Sequence, residues 1–537
     1  MTATAYQDFL DSFDIATLDQ AFAGDFATGL NVCTECCDRH AEGDRVALNW
    51  VAKDGTKRTV SFAELRAQSA RFANLLVAQG IKPGDRVAGL LPRTPDLLVV
   101  ILGTLRAGAV YQPLFTAFGP KAIEQRLQGP GARLGGSDAA KRSKLDEVAQ
   151  CPPIATIGAA APGDIDFTAE MARQPEAFEP VPRQADDLFL MMFTSGTTGA
   201  PKGVGVPLKA LRAIRVYMTC GIGLTEQDRY WNIADPGWAY GLYYAVIGPL
   251  LLGQATTFQE DGFSVEQTCA LIRDLQITNF AAAPTVYRLL IAGGADVAGP
   301  LKGQLRVASS AGEPLNAEVI AWFRDHLDCP LKDHYGQTEM GMVMMNHHGL
   351  SHAERGGSAG IAMPGHSLAI VDETGQPQPA NTPGILAVDR EHSPLFFFPG
   401  YWGREGQDWV GKWYLTGDTV EQDQNGFFSF VGRSDDLISS AGYRIGPFDV
   451  ESSLIEHRAV LESAVVGKPD KERGHIVKAF VVLGNGHEAS DDLSEELRLY
   501  VRNRLGAHAY PREISFVSEL PKTPSGKIQR FLLRQQV

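Results

Sequence analysis

The chain predicts an α/β protein built on parallel sheets covered by helices, with a smaller α+β unit towards its C-terminal end. Three observations carry this. Helical and strand patterns alternate through most of the chain. Its 537 residues exceed what one core usually organises. After Gly432 the alternation gives way to a short α+β segment, which sets a boundary near Arg433–Asp435 and domains over 1–432 and 433–537.

The elements follow in order. Ser61, with Glu64 three residues on, predicts a capping box opening a helix whose Phe62, Leu65, Phe72 and Leu76 share one face. The small Ser69 lies on the same stripe. Gly80 ends the helix and Pro83-Gly84 turns the chain into an apolar strand, Arg86–Leu91. The apolar stretch Leu97–Val110 is interrupted by Arg106 and is too short to span a bilayer. Ala, Gly and Pro over Ile157–Asp164 mark a surface loop. Asp187–Phe193 reads as a buried strand and Gly203–Val206 as a β-rich return. Ser264 with Gln267 opens a helix over Val265–Leu275 that leads into strand Ile277–Ala283, and strand Leu305–Ser309 precedes helix Leu315–Leu327. The run Asp423 to Asn425-Gly426 predicts a hairpin turn between Tyr414–Glu421 and Phe427–Val431. Ile476–Leu483 is a further strand.

Composition narrows the function. A net charge of −14 argues against a nucleic-acid surface, which needs basic clustering. No basic region followed by an apolar stretch opens the chain, and no transmembrane segment is readable. Seven scattered cysteines fit a reducing compartment, so the cytoplasm is expected. Cys33, Cys36 and Cys37 form a CxxCC cluster with only His40 nearby, which reads as small packed thiols rather than zinc ligands. His347, His348 and His352 flank Gly349 without an acidic partner at ligand spacing, and read as a loop near the active site.

Chemistry concentrates in two places. Thr194-Ser195-Gly196-Thr197-Thr198-Gly199-Ala200-Pro201-Lys202-Gly203 follows the strand Asp187–Phe193. Glycines let the backbone turn N–H groups inward, hydroxyls add donors and Lys202 adds charge, which suits a polyphosphate. No Gly-Lys-Ser/Thr occurs and a β-rich segment follows, so it is not a Walker A loop. Near the other end, Lys527 sits in Pro521-Lys522-Thr523-Pro524-Ser525-Gly526-Lys527-Ile528.

The first of these runs resembles the phosphate loop of the adenylate-forming (AMP-binding) superfamily, and four more motifs agree in order. Gly312-Glu313-Pro314 resembles the adenine-side segment, and Asp333-His334-Tyr335-Gly336-Gln337-Thr338-Glu339 the central aromatic motif. Tyr414-Leu415-Thr416-Gly417-Asp418 resembles the ribose motif, and Gly432-Arg433-Ser434-Asp435-Asp436 the hinge. The resemblance implies a large N-terminal domain with a β-barrel-like subdomain, a mobile C-terminal domain and a hinge at Asp435. It implies an ATP-dependent acyl-CoA ligase that forms acyl-AMP and pyrophosphate, after which CoA displaces AMP. Tyr335 offers a face for adenine, Thr338 bonds the α-phosphate, and Glu339 holds Mg²⁺ through carboxylate oxygen. Asp418 accepts the ribose hydroxyls with Arg433 in support, and Lys527 bridges substrate carboxylate and α-phosphate. Ala441, Gly442, Tyr443 and Arg444 shape the path of the CoA thiol, and Arg473 meets the nucleotide end of CoA.

The pattern is most like the medium-chain acyl-CoA synthetase branch. Relatives that use acetate carry tryptophan where this chain has Gly336, so an acid larger than acetate is expected: short- or medium-chain, branched or aromatic. Trp238 and Tyr240 are expected in the acyl-pocket wall, although Tyr240 equally fits an ordinary core position. Two departures stand out. Gly205-Val206-Pro207-Leu208 lacks a histidine that many relatives carry, and Ser439 stands where Lys or Asn is common, which weakens the CoA-side transfer. Delivery of the acyl group to a separate carrier protein is the alternative enzyme reading. A non-catalytic adenylate-binding sensor is the alternative outside catalysis.

Overall fold

The computed structural model describes residues 4–194, 201–260, 262–313, 315–406, 409–433, 436–440, 443–470, 473–484, 486–506, 509–522 and 528–537. The alternating elements assemble into a seven-stranded sheet in the order Lys202–Pro207, Leu188–Thr194, Val110–Pro113, Arg86–Leu90, Leu134–Asp138, Ile154–Ile157 and Ile165–Asp166. Every neighbour is parallel except the first pair, where Lys202–Pro207 returns against Leu188–Thr194. A six-stranded sheet runs Tyr230–Asn232, Asn279–Ala282, Val307–Ala311, Leu331–Gln337, Gly341–Met345 and Ile361–Ala362. Its first four strands are parallel and its last two antiparallel. Parallel strands of this kind are buried on both faces, as the buried pattern of Val307–Ala311 shows.

Helices Phe62–Ala78 and Pro95–Arg106 pack against each other beside the first sheet. Leu97 to Arg106 are all buried, which explains the apolar stretch without a bilayer. No described helix is long and apolar enough to cross a membrane. Ser61 Oγ accepts the Glu64 N–H at 3.1 Å, as expected of the cap, and such a cap contributes about 1 kcal/mol. The capping box is only half made, because the Glu64 carboxylate pairs with Arg58 rather than turning back to Ser61. Ser264 Oγ likewise accepts the Gln267 N–H at 3.3 Å.

A third, antiparallel sheet joins Leu368–Val371, Gly384–Asp389 and Trp413–Gln422, with Trp409–Val410 and Phe428–Arg433 both paired to Trp413–Gln422. It is the counterpart of the expected barrel-like part, and among the described strands it stays open rather than closing. The predicted hairpin is present: Asn425 and Phe427 N–H groups both donate to Asp423 Oδ1 at 2.9 Å. A smaller C-terminal domain carries its own five-stranded sheet, in which Gly474–Leu483 lies between Val460–Asp470 and Ile438–Ser440. Helices Pro447–Ile455 and Asp491–Leu505 close its separate core around Val450, Leu454, Val465, Val477 and Leu497.

The three cysteines of the CxxCC cluster are buried, and two of the clustered histidines are tied to backbone carbonyls. Cys36 Sγ points to Ile247 O at 3.8 Å and Cys37 Sγ to Phe62 O at 3.5 Å, while Cys33 Sγ lies 3.8 Å from Ser69 Oγ. Cys33, Cys37 and Asp38 bring their ligand atoms together, but the Arg106 guanidinium pairs with Asp38 and competes with any metal cation. In the buried loop after Gly341–Met345, His348 Nε2 meets Ala308 O at 2.8 Å and His347 Nε2 meets Ala362 O at 3.3 Å.

Candidate active site

Three strand ends and one hairpin converge on a single region. Leu188–Thr194 ends at Thr194, which pairs in register with Lys202 on the returning strand. Ser195, Gly196, Thr197, Thr198 and Gly199 lie outside the described residues, so the strand and its return locate both ends of the predicted phosphate loop. Open α/β sheets bind ligands at the carboxyl ends of their strands.

Lys202 and Glu339 meet through a residue that sequence reasoning missed. Tyr401 follows Pro399-Gly400, and its neighbour Trp402 donates its N–H to Gly203 O at 2.8 Å, laying this segment along Lys202–Pro207. The Tyr401 hydroxyl donates to Glu339 Oε1 at 2.8 Å, and Lys202 Nζ lies 4.5 Å from the Tyr401 ring centroid. Glu339 is buried. A buried carboxylate beside the predicted phosphate loop would suit a hard cation such as Mg²⁺. The signal available in the sequence was the aromatic-glycine run Gly400-Tyr401-Trp402-Gly403.

Asp418 gathers a second group. It lies on Trp413–Gln422 directly across from Arg433. Its Oδ2 accepts from the Tyr335 hydroxyl at 2.5 Å and from Gln337 Nε2 at 2.8 Å, and its Oδ1 is 3.5 Å from Arg433 Nη1. Gln337 is fixed in turn: Nε2 also donates to Thr416 O at 2.9 Å and Oε1 accepts from the Tyr414 hydroxyl at 3.0 Å. Burial, then the Asp418 charge, push the Tyr335 phenol well above its ordinary value. The phenol therefore stays a donor at any working pH. Two distant motifs thus meet at one carboxylate.

The turn after Tyr335 is clamped from below. Residues Leu242–Ile247 form a π-helical stretch, a geometry often found at functional sites. It sends the Tyr243 hydroxyl to Thr338 O at 3.0 Å, and the Tyr244 hydroxyl accepts the Met342 N–H at 3.0 Å. Gly336 is confined there. A Cβ at 336 would lie 2.2 Å from Gly341 O and 2.7 Å from Met342 Cα, so its missing side chain faces backbone rather than an open pocket. The expectation that Gly336 simply vacates space is corrected accordingly. Gly336→Trp is expected to destabilise the fold by about 1–3 kcal/mol through overpacking. The check is its melting temperature beside that of the parent; an unchanged value would show that the 336–342 turn opens freely.

Other predicted residues take different places. The His334 ring leaves the nucleotide face: Nδ1 meets the Tyr217 hydroxyl at 2.7 Å and Nε2 meets Asn346 O at 3.2 Å, and burial pushes it down to about 3. Successive strand residues point to opposite faces, so His334 is a core group while Asp333 and Tyr335 face the site. Asp333 is pushed up to about 7 by burial, against N–H bonds from Leu315 and His334 that favour its anion. Gly312 turns with φ +99°, and the Glu313 carboxylate is held by Arg288 at 2.9 Å and Thr285 at 3.1 Å. Trp238 packs on Phe115 and Phe118, each at 5.5 Å between centroids, and Tyr240 lies edge-on to Tyr244 at 5.8 Å.

On the C-terminal domain, Tyr443–Ile445 pairs with Ile438–Ser440 so that Arg444 faces Ser439 in register. Arg473 is exposed on the turn before Gly474–Leu483, its N–H donating to Asp470 Oδ1 at 2.9 Å. Pro314, Asp435, Ala441, Gly442 and Lys527 lie outside the described residues. Around the last of these, Lys522 bridges to Ile528, while Arg530 pairs with Glu451 at 2.7 Å and Arg534 with Asp436 at 2.6 Å.

The AMP-binding enzyme family matches residues 35–402, and its C-terminal domain matches residues 449–527. The acetyl-coenzyme A synthetase of Bacillus subtilis (strain 168) is 36% identical, over 98% of this chain and 94% of that protein. The mitochondrial acyl-coenzyme A synthetase ACSM4 of Mus musculus is 34% identical, over 98% and 93%. The crystal structure of a Brucella canis acyl-CoA synthetase superposes with a TM-score of 0.82 at 56% identity, covering 99% of each chain. The chain belongs to the AMP-binding, adenylate-forming enzyme family. Within it, it is an acyl-CoA synthetase, an AMP-forming acid–thiol ligase whose substrates are a carboxylic acid, ATP and CoA.

Proposed function

We propose that the ligase activates an acid larger than acetate, with the nucleotide held between the Thr194–Lys202 turn and Asp418. The single observation that carries this placement is Asp418, buried yet reached by Tyr335 and Gln337 from one strand and by Arg433 from another. In this reading Asp418 turns to the ribose hydroxyls while Arg433 balances its charge. Tyr335 lies against adenine beside Gly312, Glu313 and Pro314, and Thr338 meets the α-phosphate. Glu339 holds Mg²⁺, with Tyr401 orienting the carboxylate. A cation held there would supply positive charge to balance the phosphates.

Two anions meet in the first step: the substrate carboxylate attacks the α-phosphate. Lys527 brings a positive charge between them as negative charge shifts to the departing pyrophosphate. A turn about Asp435 then separates the 1–432 and 433–537 domains from the adenylation pose. It brings Ala441, Gly442, Tyr443 and Arg444 to the site, with Arg473 towards the nucleotide of CoA. The thiol attacks the acyl carbon and AMP leaves. The cytoplasm, where ATP and CoA are both available, is the proposed setting.

For the acid, Trp238 and Tyr240 form the proposed pocket wall. The relatives span acetyl- and acyl-coenzyme A synthetases, and the aromatic surroundings of Trp238 suit a longer, branched or ring-bearing chain. Pyrophosphate release measured with acids from acetate to decanoate, and with benzoate, tests this. Peak kcat/KM on an acid beyond acetate supports the reading, and a peak on acetate removes it. Pyrophosphate without CoA consumption indicates a carrier-protein acceptor.

Asp333 supplies a pH test. Its carboxyl is raised from 3.8 to about 7, so it is neutral below about pH 7 and ionises above. The anion then faces the triphosphate, and affinity for ATP falls as pH rises. The stability contribution has the same sign: it is complete below the unfolded value and lost as pH climbs through about 7. Asp333→Asn is expected to remove the inflection near neutrality from the pH profile of kcat/KM for ATP. An inflection that persists in the variant assigns it to another group.

A further inference from the structure

Three donor side chains around the proposed acyl pocket lack a charged or full complement of acceptors among the described residues. Trp238 Nε1 is buried without a hydrogen-bond partner among the described residues, and the buried Tyr240 hydroxyl has only the Tyr217 hydroxyl near it, itself already bonded to His334. The third is Arg126, on helix Pro120–Gln128, whose side chain is buried and which pairs with no carboxylate among the described residues. Its Nη1 donates to Ala122 O at 2.8 Å, and its Cζ lies 4.1 Å from the Phe118 ring centroid and 5.7 Å from that of Phe193. Phe118 also meets Trp238 edge-on at 5.5 Å. The indole and the guanidinium therefore share one aromatic ring, next to the strand that ends at Thr194. Two residues beyond Trp238, Tyr240 stands close enough to Asp333 to feel its charge.

An indole N–H and a guanidinium can only donate. Buried polar groups are nearly always paired, and an uncompensated buried cation is costlier still. Burial lowers Arg126 to about 10, which leaves it a cation at neutral pH. A saturated alkyl chain in this pocket satisfies none of the three. An oxygen-bearing end offers the acceptors they lack.

We infer that the acid this enzyme activates carries a second oxygen-bearing group distal to its reacting carboxylate. A second carboxylate fits best, accepting from Trp238, Tyr240 and Arg126. This rests on the reading that Trp238 and Tyr240 line the acyl pocket. It adds Arg126, which lies outside the motifs, as a specificity-determining residue. The reacting carboxylate is still the one adenylated, and the distal group is only held.

The test compares CoA-dependent pyrophosphate release for hexanoate, its terminal hydroxy acid and adipate, and for their shorter and longer homologues. Chain length and end group then vary separately. At the preferred length the diacid is expected to exceed the plain acid in kcat/KM by about ten-fold or more. Trp238→Phe and Arg126→Met are each expected to bring that ratio towards one. Arg126→Met should also melt no lower than the parent, since an apolar chain replaces an unpaired buried charge. Arg126→Lys, which keeps the charge but loses the planar fork, takes its place should the methionine variant misfold. A plain acid preferred by the parent enzyme, or a diacid preference that survives both substitutions, overturns the inference. Variants that leave the KM of every acid unchanged instead remove the pocket assignment beneath it.

Discussion

Replacing Lys527 with alanine is expected to lower adenylation by about 10²–10³-fold, the usual cost of deleting one preorganised electrostatic partner. The same variant should form thioester from supplied acyl-adenylate and CoA at close to the parent rate. The asymmetry follows from the chemistry. Only the first half-reaction forces a carboxylate against a phosphate, and only there does a cation lower the barrier. Transfer to the thiol begins from an uncharged mixed-anhydride carbonyl and, in the proposed cycle, follows a turn of the C-terminal domain. ATP–pyrophosphate exchange reads the first step, and CoA-dependent AMP release from acyl-adenylate reads the second. Equal loss in both, in a variant that still melts cooperatively at the parent temperature, would contradict the role.

Asp418→Ala is expected to be nearly as severe and to act differently. The carboxylate accepts from Tyr335 and Gln337 and faces Arg433. Its removal strands a phenol and an amide donor that have little water to turn to, so stability should fall by about 1–3 kcal/mol. The ribose loses its acceptor as well, and kcat/KM for ATP should drop by about 10²-fold or more. Asp418→Asn separates the two effects. It keeps an acceptor for Gln337 or Tyr335 and restores much of the melting temperature, while the nucleotide still meets a neutral amide. Rescue of ATP affinity along with stability would show that Asp418 serves only the scaffold. Calorimetry with and without AMP distinguishes the outcomes.

Much of this arrangement was legible in the chain. The strand before Thr194 was readable because a compact apolar run stops at a glycine- and hydroxyl-rich turn, and the structure has Leu188–Thr194 there. The Asp418 hairpin was readable because Asp423 and Asn425-Gly426 specify the turn geometry locally. Other features depend on distant pairing. Tyr401 sits in a loop with no periodic signal, and it acquires meaning only when Trp402 pairs with Gly203. His334 was grouped with the nucleotide because a linear motif hides the pleat, which sends alternate side chains to opposite faces. Gly336 was read as missing bulk in a pocket, whereas the backbone of Gly341 lies directly over it. Tyr243 and Tyr244 belong to a π-helical stretch whose period no amphipathic template detects. Arg126 gave no sign at all, since a lone basic residue on a short helix looks like any solvated surface group.

The salt links of the tail have a mechanical consequence. Arg530 and Arg534 grip Glu451 and Asp436, so the last helix is moored to the residue immediately after the proposed pivot. Any swivel at that point would carry both ends of the short lever together and, in the proposed cycle, take with it the ammonium group three residues before Arg530. Weakening the mooring would leave the pivot free to swing while its cargo lagged behind, slipping the gearing between rotation and charge delivery without touching a single atom of substrate.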